Sequence, residues 1–405
     1  MKTTCVPLPT MRRLPILAVA LLLGCALISA GCTGQRGSSS GATGTTMANP
    51  TSTTTESTGQ MEGGALFPIE VYEAPQNSGQ PIAPGYPDSQ YGYIDAAGRM
   101  VIEPQFTNAW PFLEGLAAVA IGAKLGYIDA TGAIVIGPQF SSGGPFSDGL
   151  APVTLEGDAS HQIGYINTAG AMVIEPQFFE ASGFSEGLAW VRREHGDPCG
   201  YIDRTGAMVI EPGFNTADPF SEGLARVSVQ KDGGYLDGYI DTTGSFVVEP
   251  QFVAGTQSFS EGLAVARTTD DLWGYIDQTG AFLIGPEQFF MADPFSEGLA
   301  VAYSAEQNAW GYIDKTGKWV IQPQFEDAGA FSEGLASVRL GRGEGYGYVD
   351  KTGTMVIQPQ FETANPFTGD LAFVTGSAWG EHGYIDKTGA KIWWQRPGVI
   401  EIQIP

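Results

Sequence analysis

GYIDKTGKWVIQPQF, residues 311–325, is a β-hairpin written out in full. Tyr312-Ile313 and Trp319-Val320-Ile321 are short aromatic and β-branched runs, which suit strands. Between them lies Asp314-Lys315-Thr316-Gly317. An Asp carboxylate can bond to its own turn backbone, and Gly accepts positive φ without a Cβ penalty. The two runs, strands A and B, therefore make a tight hairpin. Pro323 has no N–H for a ladder, so strand B ends there or lies at a sheet edge.

Outward from this stretch the same text returns. Gly-Tyr-(Ile/Val)-(Asp/Asn) begins at Gly92, Gly126, Gly164, Gly200, Gly238, Gly274, Gly311, Gly347 and Gly383, at steps of 34, 38, 36, 38, 36, 37, 36 and 36 residues. After each of the first eight hairpins comes a FSEGLA-like segment, from Phe112 (FLEGLA) to Phe367 (FTGDLA). One unit reads GYID–xTG–xMVIxPQF–xxAxxFSEG–LAxV, and LAxV is a third strand, C. The link from C to the next GYID can be very short, as in AVAIGAKLGYI, so C and the following A are antiparallel neighbours. Helical periodicity is absent, and Pro and Gly recur too often for useful helices. The fold class is all-β, built from tandem repeats of about 36 residues. A period of this size marks propellers and solenoids, whose units cover each other's apolar faces.

Nine A–B hairpins but only eight C strands leave the first hairpin without its C. The C-terminal stretch Val399-Ile400-Glu401-Ile402-Gln403-Ile404 alternates as a half-buried strand does and is read as the missing strand, closing a propeller-like ring. ALFPIEVY, residues 65–72, is a rival donor or a cap. Propellers typically have 4–8 blades of four strands, so an open β-solenoid stays as the alternative.

The repeat resembles the bacterial WG (KWG) repeat family over residues 91–394. The signature Trp-Gly stands intact at Trp273-Gly274 and Trp310-Gly311; elsewhere Tyr91, Leu125, Ile163, Cys199, Asp237, Tyr346 or His382 takes the Trp place. The resemblance implies a repeat scaffold and no single shared activity.

Three segments make up the chain. Residues 1–32 have a basic start, with Lys2, Arg12 and Arg13, and an apolar run from Leu14 to Ala30, as in a secretory signal. The run ends in Ser29-Ala30-Gly31-Cys32, which resembles a lipobox and implies lipidation of Cys32. Cys25 is a second candidate, and Met11 an alternative initiator. Residues 33–64 are rich in Gly, Ser and Thr and cannot bury enough surface to order themselves; they read as a tether. Residues 65–405 form the repeat domain. The expected location is the outer side of a bacterial cell envelope, with the membrane met only through the lipid.

Formal charge is −24, and loss of the leader's three cations takes it to −27. Nucleic acid and anionic lipid surfaces would repel such a chain. The mature chain keeps Cys32 and Cys199, too few for a disulfide framework. Cys199 reads as filler of a small apolar position.

Recurring acids are the obvious chemistry. Glu114, Asp148, Glu186, Glu222, Glu261, Glu297, Glu333 and the shifted Asp370 occupy the Ser-Glu-Gly turns. They read as solvated turn residues, against a carboxylate ring that binds cations or a basic partner. Asp95, Asp129, Asn167, Asp203, Asp241, Asp277, Asp314, Asp350 and Asp386 read as hairpin-turn residues. His161, His195 and His382 come from separate units, and no CxxC, HExxH or GxSxG spacing appears, so no metal, cofactor or catalytic site is assigned. Trp190, Trp310 and Trp379 are candidate glycan-stacking platforms, with core packing the alternative. The junctions between C and the next A vary most and suit a contact surface. The expected function is a non-catalytic, lipid-anchored scaffold that binds a protein or cell-surface glycan. The alternatives are a carbohydrate-active enzyme using paired carboxylates, or a purely structural envelope component.

Overall fold

The computed structural model describes residues 64–71, 89–157, 162–231, 233–378, 380–396 and 399–402. The leader with Cys32, the tether as far as residue 63, His161 and Trp379 lie outside the described residues. Every regular element among the described residues is a β-strand.

The hairpin that opens the sequence reading forms as its residues dictate. Asp314 N–H donates to Lys318 O at 2.9 Å, and Gly317 N–H to Asp314 O at 2.9 Å. Gly317 stands at φ +81°, the left-handed position such a three-residue loop demands. Pairing runs Trp310↔Phe325, Tyr312↔Ile321 and Ile313↔Trp319, with register shifts between them. Pro323 cannot donate there, and the ladder bulges around it. The signature glycine has a different task. A Cβ on Gly311 would stand 2.6 Å from Ile321 O and 2.7 Å from Pro323 N, so the bulged strand B crosses directly over it.

Each hairpin belongs to a small antiparallel sheet, a blade. Blade seven orders Met291–Ala292, Leu299–Ser304, Ala309–Asp314 and Trp319–Phe325, so a short inner strand, C, A and B follow each other in space and in sequence. Among the described residues nine blades follow one another in chain order; blades one and six lack the short inner strand, and blade nine gains a fifth strand at its outer edge. Blades two and three share one seven-stranded sheet, because Ile134–Gly143 runs from the outer strand of one into the inner strand of the next.

Adjacent blades share their cores. Leu299, Val301, Tyr312, Ile321 and Phe325 of blade seven pack with Phe331, Ala336, Val338 and Val349 of blade eight. Phe331 leans on the Tyr312 ring at 4.8 Å, while Tyr312 OH donates to Gly329 O at 2.8 Å. Neither blade has this core without the other, which is the cohesion expected of stacked repeats.

Closure differs from the first-choice sequence reading. Leu66–Val71 pairs with Gln90–Asp95 in the register Leu66↔Asp95 and Ile69↔Gly92. That is the C-to-A register of blade seven, Leu299↔Asp314 and Ala302↔Gly311. The N-terminal strand, the rival donor, is therefore the missing C strand. The C-terminal Val399–Ile402 instead pairs along Lys391–Arg396 at the outer edge of blade nine. That outer strand carries no Pro, so its edge is a continuous ladder able to take a further strand. Blade one also meets blade nine. Phe67, Ile69 and Ile94 share a core with Leu371, Tyr384 and Trp393, and Tyr384 OH donates to Pro68 O at 2.9 Å. A Cβ on Gly98 would reach 2.7 Å from Ile392 O. The array thus closes as a propeller-like ring, and an open solenoid would have no place for these contacts.

Candidate functional site

The eight Ser-Glu-Gly turns are neither idle nor a free carboxylate ring. Glu114, Glu186, Glu222, Glu261, Glu297 and Glu333 stand at φ between 50° and 56°, and the following Gly is also positive, near +83°. Two positive φ values in succession define the tight primed turn that joins twisted strands. A non-Gly residue there is unfavourable by about 1–2 kcal/mol. The acid is offset by a bond it makes to its neighbour. Glu114 accepts Gly149 N–H at 2.9 Å, Glu186 accepts Gly223 N–H at 3.0 Å, Glu222 accepts Gly262 N–H at 2.9 Å, and Glu297 accepts Gly334 N–H at 3.0 Å. Glu333 takes both Gly369 and Asp370 N–H. Each turn serine donates onward as well, for example Ser296 Oγ to Phe331 O at 2.7 Å. These acids are blade-to-blade fasteners, a role sequence reading missed. The available signal was an acid, rather than Asn or Gly, kept at a turn position that needs positive φ.

Some fasteners carry a cation. Lys315 meets Glu261 at 3.1 Å, Lys351 meets Glu297 at 3.1 Å, Lys387 meets Glu333 at 3.0 Å, and Arg204 meets Asp148 at 3.3 Å. Burial raises the Glu297 carboxyl, but the Lys351 ammonium and the Gly334 N–H outweigh it and hold its pKa below the usual value.

The hairpin acids do what their spacing predicts. Asp314 Oδ1 accepts Thr316 N–H at 2.8 Å, Thr316 Oγ1–H at 2.6 Å and Lys318 N–H at 3.2 Å. Asn167 makes the two backbone bonds in its own unit, at 3.1 and 3.0 Å. The threonine hydroxyl, followed by the backbone N–H groups, holds Asp129, Asp203, Asp241, Asp277, Asp314 and Asp350 below the ordinary carboxylate pKa.

No group of three or more His, Cys, Asp or Glu among the described residues is placed to hold a metal. His195 is exposed, edge-on to Phe179 at 5.4 Å in blade four. His382 is buried in blade nine beside Phe373 and Trp393, and burial lowers its pKa. Cys199 is buried, and burial pushes its thiol up, so it fills core space as expected. Another family Trp place holds Asp237, 3% exposed. Arg226 binds Asp218 at 2.7 Å and Asp237 at 3.2 Å. Burial still raises the Asp237 carboxyl despite that guanidinium.

Hairpin tips and Ser-Glu-Gly turns share one end of each blade, since Lys315 reaches Glu261 there. The junctions leave from the opposite end of strands C and A. At that end blades four to eight each expose a large apolar side chain: Phe179, Tyr235, Leu272, Phe290 with Met291, and Leu340. Phe290 is 61% exposed. Trp190 and Trp310 are half-buried against neighbouring blades.

The family model described as WG containing repeat matches residues 91–124, 126–157, 163–194, 200–235, 238–271, 273–303, 310–342 and 346–375. It stops before the ninth hairpin, whose outer strand reads KIWWQR. No curated protein matches. Among solved structures, apo AztD from Citrobacter koseri is similar at 14% identity, over 81% of this chain and 94% of that one, with TM-score 0.38. Kluyveromyces lactis Hsv2 is similar at 8% identity, over 61% and 94%, with TM-score 0.36. Virginiamycin B lyase from Staphylococcus aureus is similar at 13% identity, over 57% and 89%, with TM-score 0.34. Likenesses of this degree carry no ligand or activity over to this chain.

Proposed function

The chain belongs to the family of WG-containing repeats, and from that premise we propose a non-catalytic scaffold, held outside the cytoplasm by lipid on Cys32, that binds a protein or a cell-surface glycan. The observation that carries this reading is the fate of the repeated carboxylates. The hairpin acids bond their own turns, and the turn acids through Glu333 fasten the next blade, so no copy is set aside for chemistry. What varies is the junction end, with its exposed side chains on five consecutive blades. Variable loops on a rigid frame are the usual place for recognition. The acidic charge disfavours nucleic acid as a partner.

A glycan array and a pulldown with the full chain test the binding role. Saturable binding without turnover is expected, and it should survive replacement of any single turn acid in a folded variant. Turnover abolished by one Glu→Gln change would make the protein an enzyme instead. For the anchor, labelling with a palmitate analogue should disappear in Cys32→Ala; persistent labelling rejects that cysteine.

A further inference from the structure

The residue x of LAxV and the inner-strand residue bonded to its carbonyl face the following blade together. In blade eight these are Ser337 and Gly329, joined by Gly329 N–H to Ser337 O at 2.8 Å. Most other blades put a larger side chain there, Trp190 opposite Ser182, Arg226 opposite Asp218, Val301 opposite Asp293 and Phe373 opposite Asn365, and blade three sets the Pro152 ring opposite Gly144. Blade eight alone sets two of the smallest side chains there. The result is a cleft of about 230 Å³ between blades eight and nine, with Asp327, Ser337, Tyr346, Thr363 and Asn365 as its polar lining.

Part of this lining is already paired, Tyr346 with Asp327 and Thr363 with Thr375, while Ser337 and Asn365 keep free polar groups. Ser337 is only 7% exposed, yet its hydroxyl, bonded to no other described residue, keeps surface open to the cleft. Gly329 holds the space open, since a Cβ there would come 2.7 Å from Ser337 Oγ. The Asn365 backbone is used on both sides, by Phe373 O and Tyr348 OH, leaving its exposed amide free to turn into the cleft. Tyr346 OH donates to Asp327. Burial and that bond push the phenol up to about 12, so it remains a donor.

We infer that this cleft is a binding site for one neutral sugar residue, which rests on the scaffold reading above and names its ligand class. The Ser337 hydroxyl and the Asn365 amide, with the acceptor capacity left on Thr363 and Asp327, offer donors and acceptors to vicinal hydroxyls. The volume is below the roughly 300–1,000 Å³ of sites for larger ligands, which fits a single ring. A cation is the poorer match: the one carboxylate lining the cleft is already met by Tyr346 and has Arg339 at 3.9 Å.

The test uses the full chain in detergent, with saturation-transfer NMR against methyl glycosides of glucose, galactose, mannose and N-acetylglucosamine. Immobilised oligosaccharides ending in the same residues separate a free sugar from a chain terminus. At least one glycoside should bind. Ser337→Val, a residue the frame already accommodates at Val301, should weaken it at least tenfold without lowering Tm. Asn365→Ala, at an exposed position, should also weaken it and serves if the valine variant does not fold. No glycoside bound, unchanged binding in both variants, or displacement by tetramethylammonium overturns the inference. Array binding that persists undiminished in both variants overturns the cleft but leaves the scaffold. Turnover of a glycoside lost in Asp327→Asn keeps the cleft and overturns the scaffold.

Discussion

Arg226 shows how far one residue's role depends on its blade. Asp237 sits where other units put Trp, Tyr or Leu, and a buried carboxylate there is tolerable only because Arg226 and Ser228 bond it. Arg226→Leu should therefore destabilise by about 3–5 kcal/mol, the cost of a buried charge left unpaired. Adding Asp237→Leu should recover most of that loss, as measured by urea denaturation; a double variant no better than the single one refutes the pairing. The hairpin acids make a second residue-scale prediction, set by pH. At Asp129 and Asp314 the neighbouring threonine hydroxyl, followed by the turn N–H groups, holds the folded pKa below the ordinary carboxylate value. The stability they add is complete above the unfolded value and is lost as pH falls through the lower folded values. Asp129→Asn copies the natural Asn167, keeps an acceptor for the turn N–H groups and removes one proton-binding step. Its Tm should fall less steeply than that of the parent as the pH drops below the ordinary carboxylate value. An identical slope would mean that Asp129 titrates alike in the folded and unfolded chain.

At the level of the element, most of the hairpin was legible from residues that act locally. Asp314 to Gly317 bond within their own turn, so nothing distant is needed to read them. The glycine that opens each hairpin was legible as a marker but not as a cause. Its demand comes from strand B, which bulges at Pro323 and crosses over Gly311. Two Gly→Ala changes separate this from ordinary glycine flexibility. Gly311→Ala places a methyl against Ile321 O and Pro323 N and should cost about 1–3 kcal/mol or more. Gly137→Ala, in strand B of blade two with open space around the new methyl, should stay within about 0.5 kcal/mol of the parent. Equal losses in both would show that the close crossing does not matter. The turn acids were the least legible feature of the candidate site, because their partner lies about one repeat away. Glu186 and Gly223 are strangers in sequence until two blades stand side by side.

At the scale of the whole molecule, the count of nine hairpins and eight C strands showed that one strand had to come from elsewhere, but not from which end. The tail alternates apolar and polar and the N-terminal stretch is largely apolar, and neither pattern alone says which sheet edge a strand fills. Register and proline do. Strand C lies between two blades and needs buried residues facing the blade before, which Phe67 and Ile69 supply. The tail pairs with the Pro-free strand Lys391–Arg396, an outer edge that closes nothing. The two ends should therefore differ sharply in what they contribute. Phe67→Ala removes a ring from the seam between blades one and nine and should cost about 3–5 kcal/mol. Truncation after Arg396 deletes only an outer-edge strand and should cost less, with the seam intact. Urea denaturation of the two variants gives the comparison, and small-angle scattering should show expansion only when residues 1–88 are removed. A tail truncation more damaging than the Phe67 change would transfer closure back to the C-terminus, and the pairing Leu66↔Asp95 would no longer be what joins the ends.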